Sequence, residues 1–215
     1  MIGRCSTRSR RCYAEVVAGS GKKLSGERNS PEVEAAWRAS PPHVVAEIVG
    51  GVLHSMPRSA RRHTIAATNL GEELGPPFKR GRGGPGGWVI LDEPELHLGT
   101  MPDIVVPDLA GWRRERMPDA VGDEDAPPYY DLSPDWACEV LSPRTEAFDR
   151  GEKVPLYARE GVKHVWLVDP IEQTLEVFRL EREGYLLLGV HHGDARPRAE
   201  PFDAIELDLA VLWSR

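Results

Sequence analysis

The sequence predicts an α/β fold, a sandwich of helices around a mixed β-sheet. Three observations carry that expectation. From Ala60 the apolar pattern runs helix, two or three short strands, another strand, helix and strand, an order that lays helices against a sheet. Short apolar runs such as Trp136 to Leu141 and His164 to Val168 are bounded by turn residues, as buried strands are. Finally, 215 residues with 40% hydrophobic and 28% charged side chains fit one domain with a sizeable core. That domain spans residues 31–215, behind a tail of residues 1–30.

The tail mixes Arg, Ser, Gly and Lys without a hydrophobic period, which reads as a disordered basic segment. Ser30-Pro31-Glu32 then starts a helix, with serine at the cap and proline in the first turn, and Val33 to Ala39 continue it until Pro41-Pro42. Val44 to Val49 and Val52 to Met56 form a β-hairpin about Gly50-Gly51, since two glycines supply the positive φ values of a tight turn. Ser59 caps a helix from about Ala60 to Leu74, in which His63, Ala67, Leu70 and Leu74 share one face, and Gly75 closes it. From Gly75 to Gly87 the chain is almost all Gly, Pro, Lys and Arg, with no pattern that packs, and reads as a mobile or basic loop.

Trp88 to Leu91, Glu95 to Leu98 and Ile104 to Leu109 read as short strands, and residues 113–134 as a charged, Pro-rich loop. After the strand Trp136 to Leu141, the turn Ser142-Pro143-Arg144-Thr145 leads into a helix from Glu146 to about Glu160. Pro155 predicts a kink there, because proline lacks a backbone donor and crowds the preceding turn. His164 to Val168 is a buried strand, and Leu175 to Leu180 with Tyr185 to Val190 form a meander. Ile205 to Trp213 fits strand and helix equally.

Charge is uneven. Residues 1–30 hold seven Lys and Arg against two Glu, a net of +5, so the remainder carries −12 of the overall −7. An acidic body counts against an avid nucleic-acid binder, but does not exclude an enzyme whose carboxylates take a cation. Cys5, Cys12 and Cys138 form neither a disulfide framework nor a paired zinc site. With no apolar run of membrane-spanning length and no export signal, the chain is expected to be soluble and cytoplasmic, with no membrane partner.

Phosphodiester cleavage needs a cation to stabilise anionic charge, an activated water, and a group that orients the water. Carboxylates on neighbouring strands can hold Mg²⁺, which prefers oxygen ligands and keeps several waters. Two places offer them: Asp103 and Asp108, each after a proline, and Glu139 within Trp136 to Leu141. A carboxylate inside so apolar a strand is costly unless paired or bound to a cation. On the following helix Asp149, Lys153 and Tyr157 recur every four residues and share a face, one that can turn back toward Glu139.

Pro107-Asp108-Leu109-Ala110-Gly111-Trp112, then Cys138-Glu139-Val140-Leu141-Ser142-Pro143, then Asp149-Arg150-Gly151-Glu152-Lys153 with Tyr157, Gly161 and Val165-Trp166-Leu167-Val168-Asp169-Pro170, together resemble the Uma2 (DUF820) family of the PD-(D/E)XK nuclease superfamily. The likeness runs from roughly Val44 to Trp213, with Glu47 and Gly50 at the family's early Glu and Gly. It implies a restriction-endonuclease-like core, a mixed sheet flanked by helices with extra β-hairpins. It further implies Mg²⁺ or Mn²⁺ on Asp108 and Glu139, Lys153 as catalytic group, DNA as substrate, and a homodimer as the class expectation for duplex cleavage. In most of the superfamily the lysine stands two residues after the acid. Here that position is Leu141, and the Uma2 pattern passes the role to Lys153. Asp108 is preferred over Asp103 because the residues after it carry the likeness.

Plainer readings stand beside these. Glu139 and Lys153 can be a structural pair, Asp149 a helix cap, Glu47 a hairpin salt bridge, and His63 a core histidine. His191-His192 would point to opposite faces of a strand, which disfavours zinc, and the Gly-rich loop lacks the ending of a phosphate-binding loop. The alternative function is a non-catalytic restriction-endonuclease-like domain serving as a binding or assembly module.

Overall fold

The computed structural model describes residues 24–25, 30–57, 60–100, 102–117, 126–182 and 184–214. The expected basic tail thus lies almost wholly outside the described residues, as does the cap expected from Ser59.

Helix α1 (Pro31–Arg38) begins where expected, its first free amides satisfied by Ser30, whose hydroxyl accepts from the Val33 amide at 3.3 Å. Strands β2 (Val44–Val49) and β3 (Val52–Pro57) form the hairpin, with Gly50 and Gly51 at φ +59° and +75°, as a two-residue turn of matching twist requires. Leu24–Ser25, β1, pair with β3 on its outer side.

Helix α2 (Arg61–Leu74) does not stop at Gly75. That glycine keeps a right-handed helical backbone, and a π turn over Gly75–Lys79 closes when the Arg80 amide donates to the Gly75 carbonyl. Pro76 and Pro77 have no amide to donate, so the α-ladder cannot continue and the backbone takes the wider turn. Pro77 and Phe78 are buried, correcting the expectation that nothing in this stretch packs.

The second correction lies between residues 104 and 109. Instead of one strand there are two, β6 (Asp103–Val105) and β7 (Leu109–Arg113), in different sheets. Pro107 cannot donate to a ladder, and at this break the chain crosses from sheet to sheet. The smaller sheet runs β1-β3-β2-β6-β5 and the larger β11-β10-β9-β8-β7-β4, where β4 is Trp88–Asp92, β5 Leu96–Leu98, β8 Trp136–Val140, β9 His164–Asp169, β10 Thr174–Glu181 and β11 Gly184–His192. In the larger sheet only β8 and β9 pair in parallel; the helical connection between them is what a parallel pair demands.

That connection comprises α3 (Glu146–Phe148), a π turn (Asp149–Lys153) and α4 (Val154–Arg159). The kink expected at Pro155 takes this form: the Val154 amide donates to the Asp149 carbonyl five residues back, and the turn directs both Asp149 and Lys153 into the interior. The C-terminal ambiguity resolves as a short helix, α5 (Leu209–Trp213), capped by Asp208.

Strand alternation explains the layering. Trp136, Cys138 and Val140 of β8 pack on one face with Ala66, Leu70 and Leu74 of α2 and with α5, around Phe202. Ala137 and Leu141 face the other way, among Leu156 and Tyr157 of α4 and Leu96, Leu98 and Val105 of the smaller sheet. Glu139 shares that second face, so the fold buries it between the two sheets.

Candidate active site

The crossing segment Val106-Pro107-Asp108 organises the acidic cluster. The Val106 amide donates to Glu47 Oε1 at 2.8 Å, and its carbonyl accepts from Lys153 Nζ at 3.3 Å. Two residues on, Asp108 Oδ2 accepts from the Val140 amide at 2.7 Å. Leu109 pairs with Cys138 in the ladder, which sets Asp108 beside Glu139 at the end of β8. One short segment therefore contacts the smaller sheet, the larger sheet and the helix.

Lys153 stands at the centre, with Nζ 2.8 Å from Glu139 Oε1, 3.1 Å from Glu47 Oε1 and 3.9 Å from Asp149 Oδ1. The Tyr157 hydroxyl donates to the same Glu139 oxygen at 2.5 Å. Glu47, Glu139, Asp149 and Lys153 are all buried. One ammonium faces three carboxylates, so the charges are only partly compensated and burial favours protonated carboxyls.

Its electrostatics follow from burial. Desolvation pushes the Glu139 carboxyl well above the usual range; Asp149, Asp108 and Glu47 add to the rise and Lys153 opposes it. Desolvation likewise lifts Asp149 to about 7, with Glu47 and Asp108 adding and Lys153 and a Thr145 hydrogen bond opposing. Burial alone would lower the Lys153 ammonium, but Glu139, Glu47 and Asp149 outweigh it and drive the group up, so Lys153 stays charged at any ordinary pH. Burial, then Glu139, pushes the Tyr157 phenol up as well. The Cys138 thiol, raised by burial and by Asp108 and Glu139, is core packing.

Of the residues singled out in sequence, the structure brings Asp108, Glu139 and Lys153 together. Glu47, Asp149 and Tyr157, which the sequence also offered, join them. Asp103 lies elsewhere: fully buried, it accepts from the Gly50 amide at 2.8 Å and pairs with Arg159, clamping the hairpin to α4. His63 is not simply a core histidine, since its Nε2 lies 3.1 Å from Asp108 Oδ1. Its helical spacing with Ala67 and Leu70 hid this, because the carboxylate it meets is 45 positions away. His191 and His192 sit consecutively on β11, outside this cluster.

Among the described residues no three His, Cys, Asp or Glu side chains are arranged to hold a metal ion. Asp108 and Glu139 nonetheless supply two adjacent carboxylates of the hard-oxygen type that Mg²⁺ takes singly or in pairs, water completing its shell. Asp108 is the more open of the two, its side chain 15% exposed against 3%. With His63 it lines a groove of about 700 Å³ bounded by α2, the Gly75–Lys79 π turn and β4. No described helix is long and apolar enough to cross a membrane.

The Uma2 family model, described as "Putative restriction endonuclease", matches residues 33–211. The chain is also similar to a solved structure, a "putative nuclease belonging to DUF820" from Anabaena variabilis ATCC 29413. The TM-score is 0.65 at 20% identity, covering 84% of this chain and 96% of that one, which shows a shared fold. No curated protein sequence matches the chain.

Proposed function

Because the chain belongs to the Uma2 family, we propose that it is a metal-dependent DNA endonuclease whose site is Asp108, Glu139 and Lys153. The observation that carries this reading is the convergence of the strand-borne carboxylate of Glu139, the Asp108 carboxylate of the crossing segment and a buried ammonium, Lys153 Nζ lying 2.8 Å from Glu139, beside a groove that reaches Asp108.

Asp108 and Glu139 would hold Mg²⁺ or Mn²⁺, which when bound supplies charge neutralisation and an acidified water. In the reaction a water oxygen forms a bond to phosphorus and the bond to one ester oxygen breaks, leaving a phosphate monoester and an alcohol. The Val140 amide and His63 hold Asp108 in one orientation, and Tyr157 and Lys153 do the same for Glu139. Held protonated by its carboxylate neighbours, Lys153 cannot serve as a base. It is a fixed positive charge that favours the build-up of negative charge at phosphorus. Cutting both strands of a duplex needs two such sites, hence a homodimer.

One observation favours a second reading, a non-catalytic binding or assembly module: Lys153 is 2% exposed and already surrounded by carboxylates. Supercoiled plasmid incubated with and without Mn²⁺ separates the two. Nicking that requires the metal and is lost in Lys153→Met supports the enzyme; absence of nicking by the wild-type protein supports the module.

A further inference from the structure

Residues 75–87 contain Lys79, Arg80 and Arg82 and no acidic residue, in a chain of net charge −7. This stretch is built, not loose. Past the π turn, the Arg82 amide donates to the Pro76 carbonyl and the Gly86 amide to the Pro77 carbonyl, both at 2.8 Å, while the Arg114 amide donates to Gly87 at 2.9 Å. Arg114 also reaches across, its guanidinium donating to the Lys79 and Trp88 carbonyls at 3.0 and 3.1 Å. The loop backbone is packed so closely that a Cβ on Gly84 would lie 2.5 Å from Pro77 Cβ and 2.9 Å from its carbonyl oxygen. Glycine is required there for close approach. The conformation thus fixes where Arg80 and Arg82, both exposed, leave the backbone.

Both arginines line the groove that holds Asp108 and His63. The groove is divided in character, for Glu72, Asp92, Glu93 and Asp108 also line it. Its cations come from the π turn and the loop, and its anions from α2, β4 and the segment beside the acidic cluster. A ligand suited to both sides is an extended polyanion gripped at the loop, with one anionic group carried on toward the metal ion that Asp108 would hold.

Resting on the nuclease reading above, we propose that the ordered loop of residues 80–87 is the DNA-backbone contact of this protein, with Arg80 and Arg82 binding phosphates and so setting the strand in the groove. Phosphate contacts of this kind position a duplex without reading its sequence. They also release counterions, so they register in the salt dependence of binding.

The test measures binding of a fluorescent DNA duplex by anisotropy, with Ca²⁺ in place of Mg²⁺, across a salt series. Both side chains are exposed, so Arg80→Ala/Arg82→Ala should fold normally. It should weaken binding by roughly tenfold or more at low salt and flatten the slope of log K against log salt by about two. Arg182→Ala/Arg198→Ala removes equal charge from exposed positions outside the groove and should change neither quantity comparably. Gly84→Val keeps every charge while displacing the loop, and should also weaken binding. Inorganic phosphate at matched phosphate concentration should not displace the duplex. Equal loss in the two arginine pairs, unchanged binding in Arg80→Ala/Arg82→Ala, unchanged binding in Gly84→Val, or displacement by free phosphate would each overturn the proposal. Nicking assays on the same proteins separate it from the nuclease reading. A wild-type protein that nicks DNA with loop-independent binding overturns the loop alone; loop-dependent binding without nicking overturns the nuclease alone.

Discussion

Lys153 and Glu139 meet at 2.8 Å inside the protein, each side chain 3% exposed. Their pairing can serve chemistry or only the fold, and Lys153→Met separates the two, keeping the aliphatic stem while deleting the charge. As a catalytic group, Lys153 should matter to the reaction more than to the resting structure. Plasmid cleavage is expected to fall about a hundredfold or more, with Mn²⁺ still bound by calorimetry. A purely structural pair would instead lose roughly 3–5 kcal/mol of stability with no separate effect on cleavage.

Metal binding should distinguish the two aspartates. Mn²⁺ is expected to raise the melting temperature, since a ligand of the folded state alone stabilises it by mass action. Glu139→Gln and Asp108→Asn should abolish that rise. Asp103→Asn should leave it intact while costing about 1–3 kcal/mol, because it weakens the clamp on Gly50 and Arg159. An Asp103→Asn protein that loses Mn²⁺ would move the metal site five residues toward the N-terminus.

His63 should tune the same affinity from one shell out. His63→Ala removes the group 3.1 Å from Asp108, and Mn²⁺ affinity should drop about 10–100-fold. His63→Gln, which returns a donor at similar reach, should recover most of the loss. Titration calorimetry checks both, and equal defects in the two variants would leave His63 with a packing role only.

The contribution of Asp149 to stability should fall as pH rises across the range that separates the ordinary carboxyl value from its elevated one, 3.8 to about 7. Below this range Asp149 is protonated in both states. Within it the unfolded chain releases the proton while the folded chain retains it, so raising the pH favours unfolding. Asp149→Asn should flatten this part of the profile in urea titrations between pH 4 and 8. Profiles of equal slope through this window in the two proteins would contradict the assignment.

Much of this arrangement was legible in the sequence because its signals are local. The hairpin at Gly50-Gly51, the apolar strand around Glu139 and the four-residue spacing of Asp149, Lys153 and Tyr157 each need only neighbouring residues to interpret. What escaped depends on distant contacts. Glu47 could be matched to the family's early Glu or read as a hairpin salt bridge, but nothing near it in sequence reveals the Val106 amide 59 positions away. His63 looked like core for the same reason. The break at Pro107 was hidden in a run of apolar residues that suits one strand as well as two, and the loop after Gly75 looked structureless because its order comes from backbone packing that composition does not record.

The crossing at Val106-Pro107-Asp108 has a consequence for how the chain can be divided. Its amide is held by Glu47, from the hairpin of the smaller sheet, and its carbonyl by Lys153, from the helical connection between two strands of the larger one. A fragment starting at residue 60 would keep Asp108, Glu139 and Lys153, and so every residue of the motif. Yet it would leave the Val106 amide and one side of the ammonium without the carboxylate that now faces them. The motif is shorter than the unit that holds its side chains in place, and the N-terminal hairpin belongs to the candidate site as much as to the scaffold.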